Sequence, residues 1–165
     1  MTDLDLIDIE ASGLHVTSYP VEVAVRVRGN VFSWLIKPEP HWTHWDPVAE
    51  SLHHLSRERL QQEGLAAVEV AAALNRVLSG SERVVYSDAA AWDDNWMLTL
   101  YEATGIDRQW RVLPIERLLS EAARRRFEQA LAERQREHPE LRHRAENDIA
   151  DILAAFRAAL KSRRA

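Results

Sequence analysis

The stretch Leu4-Asp5-Leu6-Ile7-Asp8-Ile9-Glu10, near the start of the chain, is short, apolar at alternate positions and acidic at its end. Such a pattern is typical of a buried β-strand. Because side chains two positions apart in a strand point to the same face, Asp8 and Glu10 are expected to project together, with Ile7 and Ile9 on the opposite, buried face. Two carboxylates held this close raise each other's pKa unless a cation lies between them. The stretch therefore predicts a cation site or, alternatively, two surface acids on an edge strand.

The two segments that follow extend this strand into a sheet. Pro20–Arg28 has a valine at every second position, and a period of two is typical of a half-exposed strand. Gly29-Asn30 predicts a turn into a third strand, Val31–Lys37. We therefore expect the chain to open with an antiparallel meander of three strands.

Helices alternate with short strands over the rest of the chain. Ser56 is expected to cap one of the short helical segments within Pro47–Gly64. The other predicted elements are helices Leu65–Leu78 and Trp92–Thr104, strands Arg83–Ser87 and Trp110–Leu113, a helix from Pro114 to about Glu137, and a last helix from about Ala145 to Lys161. Three β elements followed by α, β, α, β, α and α indicate a mixed α/β fold. A length of 165 residues is typical of one domain, so residues 1–165 are expected to form a single domain.

Composition excludes some kinds of site and partner. With no cysteine, the chain can form neither a disulfide nor a thiolate metal site, so a metal must be held by oxygen or imidazole. A net charge of −5 argues against a protein that coats long duplex DNA, although clustered carboxylates that bind metal are compatible with a nuclease. No apolar run is as long as a membrane span, and the sequence opens on Met-Thr-Asp-Leu-Asp rather than on a signal peptide. We therefore expect no membrane association and a cytoplasmic location.

Two features of the sequence, an arginine-rich stretch and a pair of tryptophans, each allow two interpretations. Residues 108–144 hold ten arginines against six glutamates. This stretch could face the phosphates of a nucleic acid, or it could be a solvated helix with Glu–Arg pairs four residues apart, which is the favoured interpretation. Trp42 and Trp45 could stack on bases or cover the core locally, and the core cover is favoured.

Two more groups of residues could act in one site together with the acidic pair. In the middle of the chain, Asp88, Asp93 and Asp94 compete for one role. Near the end, His143 and Asp148 would not share a face of one helix, because their separation corresponds to a rotation of about 500°. If His143 lies in the loop before the last helix and Asp148 in its second turn, both can reach one site. Four carboxylates and a histidine are what two Mg²⁺-type ions and a general base require to hydrolyse a phosphodiester.

The pattern of these residues is Asp8-x-Glu10, then Asp93, then His143-x-Ala145-x-x-Asp148. It resembles the DEDDh family of 3′→5′ exonucleases, and the resemblance runs from about residue 4 to about residue 160. It implies a ribonuclease H-like fold, in which a five-stranded mixed sheet is flanked by helices. It also favours Asp93 among the middle acids, because the family has an Asp at a helix start, then two variable residues, an aromatic and Leu or Met. Ser87 and Asp88 stand where the family usually has His and Asn. The spacing from Ser87 to Asp93 is one residue longer than is usual in the family.

The resemblance implies a role for each residue of the pattern. Asp8, Glu10, Asp93 and Asp148 would hold two Mg²⁺ or Mn²⁺ ions, with Asp8 as the bridging ligand. His143 would accept a proton from the attacking water. The product would be a nucleoside 5′-monophosphate released from the 3′ end of DNA or RNA.

Two substrate-binding residues and a homodimer are further implications of the resemblance. Leu14 matches a position whose side chain wedges against the terminal bases, although a strand-end core leucine is the alternative. His53 lies in a segment that the family places beside the site, and His54 replaces the glycine of that segment. Because many members dimerise, the resemblance also allows a homodimer.

A function of another class stays open at this point, namely a noncatalytic nucleic-acid-binding or interaction module that has kept the fold. The intact set of four carboxylates and a histidine favours the enzyme over this module. A ribonuclease H or a resolvase-type endonuclease is disfavoured, because His-x-Ala-x-x-Asp belongs to the exonuclease branch.

Overall fold

A five-stranded mixed sheet forms the centre of the computed structural model, which describes residues 4–80 and 83–161. Its strands are β1 (Leu6–Ala11), β2 (Pro20–Val27), β3 (Asn30–Leu35), β4 (Val84–Ser87) and β5 (Arg111–Pro114). They lie in the order β3-β2-β1-β4-β5. β1, β2 and β3 pair antiparallel, whereas β4 pairs parallel with both β1 and β5. The predicted fold class and the opening meander are confirmed.

Helices cover both faces of this sheet. In the described part of the chain the α-helices are α1 (Pro47–His53), α2 (Arg57–Glu63), α3 (Ala67–Val77), α4 (Ala90–Thr104), α5 (Glu121–Glu137) and α6 (Ala145–Leu160). Short 3₁₀ segments cover Ile115–Leu118 and Pro139–Leu141. Within residues 4–80 and 83–161, no helix has both the length and the apolar character that a membrane crossing requires.

The sheet separates two hydrophobic cores. On one face, Ile7 and Ile9 of β1 pack with residues of β2, α2, α3 and α4. On the other face, Leu6 packs with residues of α5 and α6. Asp8 and Glu10 share the face of Leu6 because they follow it at intervals of two residues. β1 lies in the middle of the sheet, so the alternative of two surface acids on an edge strand is wrong.

The turn between β2 and β3 lies one residue earlier than predicted. Arg28 and Gly29 form it, with φ angles of 49° and 84°, and Asn30 already pairs with Val27. A two-residue hairpin loop of the I′ type requires positive φ at both central residues, a conformation that glycine adopts without strain. The short hairpin itself agrees with the prediction.

Serine residues begin two of the helices. The hydroxyl of Ser56 accepts a hydrogen bond from the backbone N–H of Arg59 at 3.1 Å, as expected for the cap of α2. Ser120 accepts one from the N–H of Ala123 at 3.3 Å and begins α5. A continuous helix from Pro114 was expected, and the capped start at Ser120 replaces it because a serine cap favours a new helix over continuation of the old one.

Ion pairs between side chains four residues apart lie on the solvated side of the arginine-rich helix α5. Arg124 pairs with Glu128 at 2.8 Å, and Arg125 pairs with Glu121 at 2.7 Å, each four residues apart. These pairs agree with the favoured interpretation of a solvated helix.

Candidate active site

A cavity of about 330 Å³ opens where the carboxyl ends of β1 and β4 meet the N-terminal turns of α4 and α6. Its wall includes every site residue that the sequence analysis selects, namely Asp8, Glu10, Leu14, His53, Asp93, His143 and Asp148. The parallel pairing of β1 with β4 explains this convergence, because the carboxyl ends of parallel strands meet at one edge of a sheet. The structure therefore brings these residues together, and their chemical roles stay predictions.

Strand β1 carries two carboxylates into the cavity. Asp8 Oδ2 is buried and has no hydrogen-bond partner among the described residues. A buried polar atom without a partner is unfavourable unless a water molecule or a cation satisfies it. Glu10 lies close to the start of α6, where ligand atoms of Glu10, His143 and Asp148 all lie within 4.8 Å of one another.

His143 and Asp148 reach the cavity from a loop and from the start of α6. His143 lies two residues before Ala145, the first residue of the helix, and has a φ angle of 61°. Its backbone N–H donates a hydrogen bond of 3.0 Å to Asp148 Oδ2. Asp148 lies in the first turn of α6 and not in the second as expected. This position suits an acid, since a carboxylate stabilises the N-terminal turn of a helix.

Asp93 enters the cavity from the first turn of α4. The helix begins at Ala90, two residues earlier than predicted, and the Asp93 residue is 1% exposed. The hydroxyl of Ser87, the last residue of β4, donates a short hydrogen bond to Asp93 Oδ2 and accepts one from the N–H of Ala89 at 2.8 Å. Ser87 therefore orients the buried carboxylate of Asp93.

The two competing acids of this region differ in their surroundings. Asp94 forms a salt bridge of 2.7 Å with Arg108 and does not line the cavity. Asp88 does line the cavity, and its negative charge contributes to raising the pKa values of Asp8 and Asp93. The sequence pattern could not separate the surroundings of these acids, because both lie close to Asp93 in the chain.

Burial and mutual repulsion raise the pKa values of the acids of the cavity. Burial raises the pKa of Asp8 well above its usual value, and the charges of Asp93 and Glu10 raise it further. Burial, followed by the charge of Asp148, raises the pKa of Glu10 to about 8. Burial also raises the pKa of Asp93 to about 8 and that of Asp148 to about 6. A cation that binds Asp8, Glu10 and Asp93 must therefore displace protons at neutral pH.

The pKa of the His143 imidazole is shifted in the opposite direction, below its usual value. Partial burial lowers its pKa, and the positive charges of Arg142 and His54 lower it further. Below its usual pKa an imidazole is protonated and cannot accept another proton. The lowered pKa keeps His143 neutral near pH 7, the state that a general base requires.

The donor set of the cavity fits a hard divalent cation. Carboxylate oxygens are the ligands that Mg²⁺ and Mn²⁺ prefer, and the chain has no thiolate to compete with them. The unpartnered Asp8 Oδ2 and the raised pKa values of the acids are the two observations that fit a cation bound by these residues.

The predicted substrate-binding residues lie at different depths. Leu14 is 71% exposed at the wall of the cavity, so the alternative of an ordinary core leucine is wrong. His53 is buried, and its Nδ1 accepts a hydrogen bond of 3.0 Å from the N–H of Leu55. His54 has a φ angle of 57°, so it adopts the left-handed conformation that favours the glycine it replaces.

Apolar residues that the sequence analysis did not single out complete the cavity wall. Trp92 is 39% exposed and stacks on Trp96 with 5.5 Å between ring centroids. Val48 and Leu52 of α1 also line the cavity and are exposed. The separation of four residues between the two tryptophans in a predicted helix was a signal that could have indicated this pair.

The two loop tryptophans lie outside this wall. Trp42 is buried and stacks on Tyr19 with 5.1 Å between ring centroids, and the indole N–H of Trp45 donates a hydrogen bond of 2.6 Å to Glu50. Both pack on the first hydrophobic core. This packing agrees with the favoured interpretation, in which both tryptophans cover the core locally.

Comparison with known proteins identifies the fold. No family model matches the chain, and no curated protein matches it. Among solved structures, E. coli exonuclease I in complex with a dT13 oligonucleotide is 14% identical with a TM-score of 0.72, over 95% of this chain and 41% of that chain. The zinc-bound form of the E. coli exonuclease I–ssDNA complex is 14% identical with a TM-score of 0.70, over 94% of this chain and 39% of that chain. A further exonuclease I structure, which suggests how processivity is achieved, is 15% identical with a TM-score of 0.74, over 98% of this chain and 41% of that chain.

The likeness covers nearly all of this chain but spans only about 40% of the length of the exonuclease I chains. Identities this low establish a shared architecture and leave the activity to be argued from the site. The protein therefore has a ribonuclease H-like fold, which it shares with the E. coli exonuclease I structures.

Proposed function

We propose that the protein is a metal-dependent 3′→5′ exonuclease that hydrolyses phosphodiester bonds of DNA or RNA and releases nucleoside 5′-monophosphates. One observation carries this proposal: four buried or half-buried carboxylates and an imidazole converge on one cavity from three elements of the fold and the loop before α6. A structural role alone does not explain this cluster, because the acids raise one another's pKa.

Asp8, Glu10, Asp93 and Asp148 would hold two Mg²⁺ or Mn²⁺ ions. When bound, such ions polarise the phosphate and supply a hydroxide-like nucleophile near neutral pH. One of the similar E. coli exonuclease I structures is a zinc-bound complex with single-stranded DNA, which supports a metal in this proposal. Ser87 would orient Asp93 for this role, because its hydroxyl fixes one of the two carboxylate oxygens.

His143 would accept the proton of the attacking water at an imidazole nitrogen. Its lowered pKa keeps that nitrogen free of a proton near pH 7. The hydrogen bond from its backbone to Asp148 fixes the residue next to the acids. Both the lowered pKa and this hydrogen bond support His143 as the general base.

Substrate would enter along the apolar wall of the cavity. Leu14 and Trp92 are exposed there, and exposed apolar and aromatic side chains bind unpaired bases by stacking and contact. His53 would shape the inner wall. E. coli exonuclease I has been captured with dT13 and dA16 oligonucleotides, which supports single-stranded ends as the first substrates to try.

Product analysis tests this proposal. We expect DNA or RNA oligonucleotides incubated with protein and Mn²⁺ to yield nucleoside 5′-monophosphates as the first products, separated by chromatography. Tight binding of oligonucleotides without any hydrolysis would instead identify a noncatalytic binding module. Internal fragments without mononucleotides would identify an endonuclease.

A further inference from the structure

An ion pair between a buried glutamate and a half-exposed arginine joins strand β2 to the start of α6, just outside the cavity. Glu22 of β2 has a side chain that is 2% exposed. Arg144 donates to it through Nη2 at 2.7 Å and through Nε at 3.1 Å, each to a different carboxylate oxygen. The backbone N–H of Ala145 donates a further hydrogen bond to Glu22 Oε2 at 3.1 Å. We call the Glu22–Arg144 pair the clasp.

The clasp neutralises a charge that would otherwise face the acids of the cavity. Glu22 is directly opposite Glu10 in the register of β1 and β2, so the two side chains lie on one face of the sheet. Like charges directly opposite each other destabilise a strand pair. Bidentate pairing with an arginine offsets the charge of Glu22 and fixes both groups in one geometry. Neither residue of the clasp lines the cavity.

The clasp also supports the backbone on one side of His143. The φ angle of 61° at His143 lies in a region that costs energy for a residue other than glycine. On the other side of the strained residue, its own N–H is bound to Asp148. Arg144 follows His143 directly and provides no side-chain cap for α6, whose first N–H is bound by Glu22 instead. His143 is therefore held between two anchors, Asp148 and the clasp.

We propose that the clasp is a positioning device that holds His143 against the acids of β1, so that it sets the rate of turnover rather than metal or substrate affinity. This inference rests on the proposed nuclease function for its kinetic consequence. Asp148 depends less on the clasp, because α6 is also held by buried apolar residues and by the bond from Arg134 to Asp151 at 2.8 Å.

The test compares four variants with the wild type. Arg144→Met removes the guanidinium fork, Arg144→Lys keeps the charge alone, and Glu22→Gln removes the acceptor charge. Arg134→Met is the matched control, because it breaks a different ion pair of α6 that does not contact Glu22 or His143. Each protein is measured for Tm, for Mn²⁺ affinity by calorimetry, for amide exchange of residues 141–148 without metal, and for kcat and KM.

We expect Arg144→Met to lower kcat roughly 10- to 100-fold, the usual range for a residue that orients an active group. KM and Mn²⁺ affinity should stay close to the wild-type values, amide exchange over 141–148 should be faster, and Arg144→Lys should be intermediate. Arg134→Met should lower Tm without changing kcat or exchange in this segment. Wild-type kcat in Arg144→Met would overturn the inference, and so would a parallel loss of kcat, Mn²⁺ affinity and Tm.

Two further readouts distinguish a failure of the clasp inference from an inactive wild type and from a variant that does not fold. If the wild type does not cleave nucleic acid, the proposed function fails, and the exchange rates alone decide whether the clasp orders His143. Unchanged exchange in Arg144→Met would then overturn the inference. If Arg144→Met does not fold, Arg144→Lys and Glu22→Gln decide it: reduced kcat at wild-type Tm supports the clasp, and wild-type kcat overturns it.

Discussion

The backbone N–H of His143 donates a 3.0 Å hydrogen bond to Asp148 Oδ2. This bond joins a loop residue to the first turn of α6, and it explains how two residues only five positions apart reach one cavity. It also uses one carboxylate oxygen of Asp148 to hold the proposed base, which leaves the other oxygen available for a cation.

His143→Ala should lower kcat by roughly 10²–10⁴-fold, because a lost general base has this effect. The four carboxylates remain, so Mn²⁺ affinity should change little. In the wild type, the rate at saturating Mn²⁺ should fall as pH drops through the lowered pKa of His143, and this acid limb should be altered in the variant. Single-turnover cleavage, Mn²⁺ titration and Tm should be measured on the same preparation.

The matched control for this variant is His138→Ala, which removes an exposed histidine paired with Glu140 at 3.7 Å outside the cavity. A stable His143→Ala protein that binds metal and cleaves at the wild-type rate would exclude His143 as the base. Joint loss of Tm and metal binding would instead assign it a structural role.

Asp93→Asn should reduce cleavage by about a hundredfold or more, because the proposed metal ligand loses its charge. Asp94→Asn should have little effect, since Asp94 pairs with Arg108 away from the cavity. Asp88→Asn should also have a small effect, although Asp88 lines the cavity wall. Steady-state rates at several Mn²⁺ concentrations measure these differences. An inactive Asp88→Asn beside an active Asp93→Asn would show that the middle acid of the pattern is Asp88.

Periodicity allowed the sheet and the acidic pair to be predicted, since both depend on local alternation along β1 and β2. The spacing of His143, Ala145 and Asp148 also carried local information, but the turn of α6 that holds Asp148 depends on where the backbone of His143 allows the helix to begin. The pairing of Glu22 with Arg144 spans 122 positions, and no local pattern encodes such a contact. Ser87 as the partner of Asp93 could not be predicted either, because it depends on how β4 meets α4.

Ser87→Ala should weaken Mn²⁺ binding roughly 10- to 100-fold, the range for partners that orient a metal ligand. The hydroxyl of Ser87 lowers the pKa of Asp93, so its removal should raise that pKa further and favour the protonated acid. Ser79→Ala is the matched control, because the Ser79 hydroxyl bonds to the backbone carbonyl of Arg76 at the end of α3. Calorimetric Mn²⁺ titration of both variants measures the effect, and equal affinities would contradict it.

Stability without metal should decrease as pH rises from about 6.5 to about 8. The pKa values of Glu10 and Asp93 rise from 4.5 and 3.8 to about 8 on folding, so in this window the folded protein holds protons that the unfolded chain has lost. The lowered pKa values of His53 and His143 have the opposite effect only at more acidic pH, where the unfolded chain gains protons at these residues. Thermal unfolding in EDTA measures this dependence.

Added Mn²⁺ should raise Tm more at the alkaline end of that window, because fewer protons compete with the metal there. A Tm in EDTA that increases over the same window would contradict the assignment of raised pKa values to the acids of the cavity.

The most direct test of a metal-dependent 3′→5′ exonuclease is a time course on a 5′-labelled single-stranded oligonucleotide. In Mg²⁺ or Mn²⁺ the labelled strand should shorten stepwise from its 3′ end, stop when EDTA is added in excess, and resume when the metal is restored. Asp8→Ala, which loses one of the residues proposed to hold the ions, should not shorten the strand at any metal concentration tested. Full activity in excess EDTA, or an intact strand after prolonged incubation of the wild type with either metal, would contradict the account.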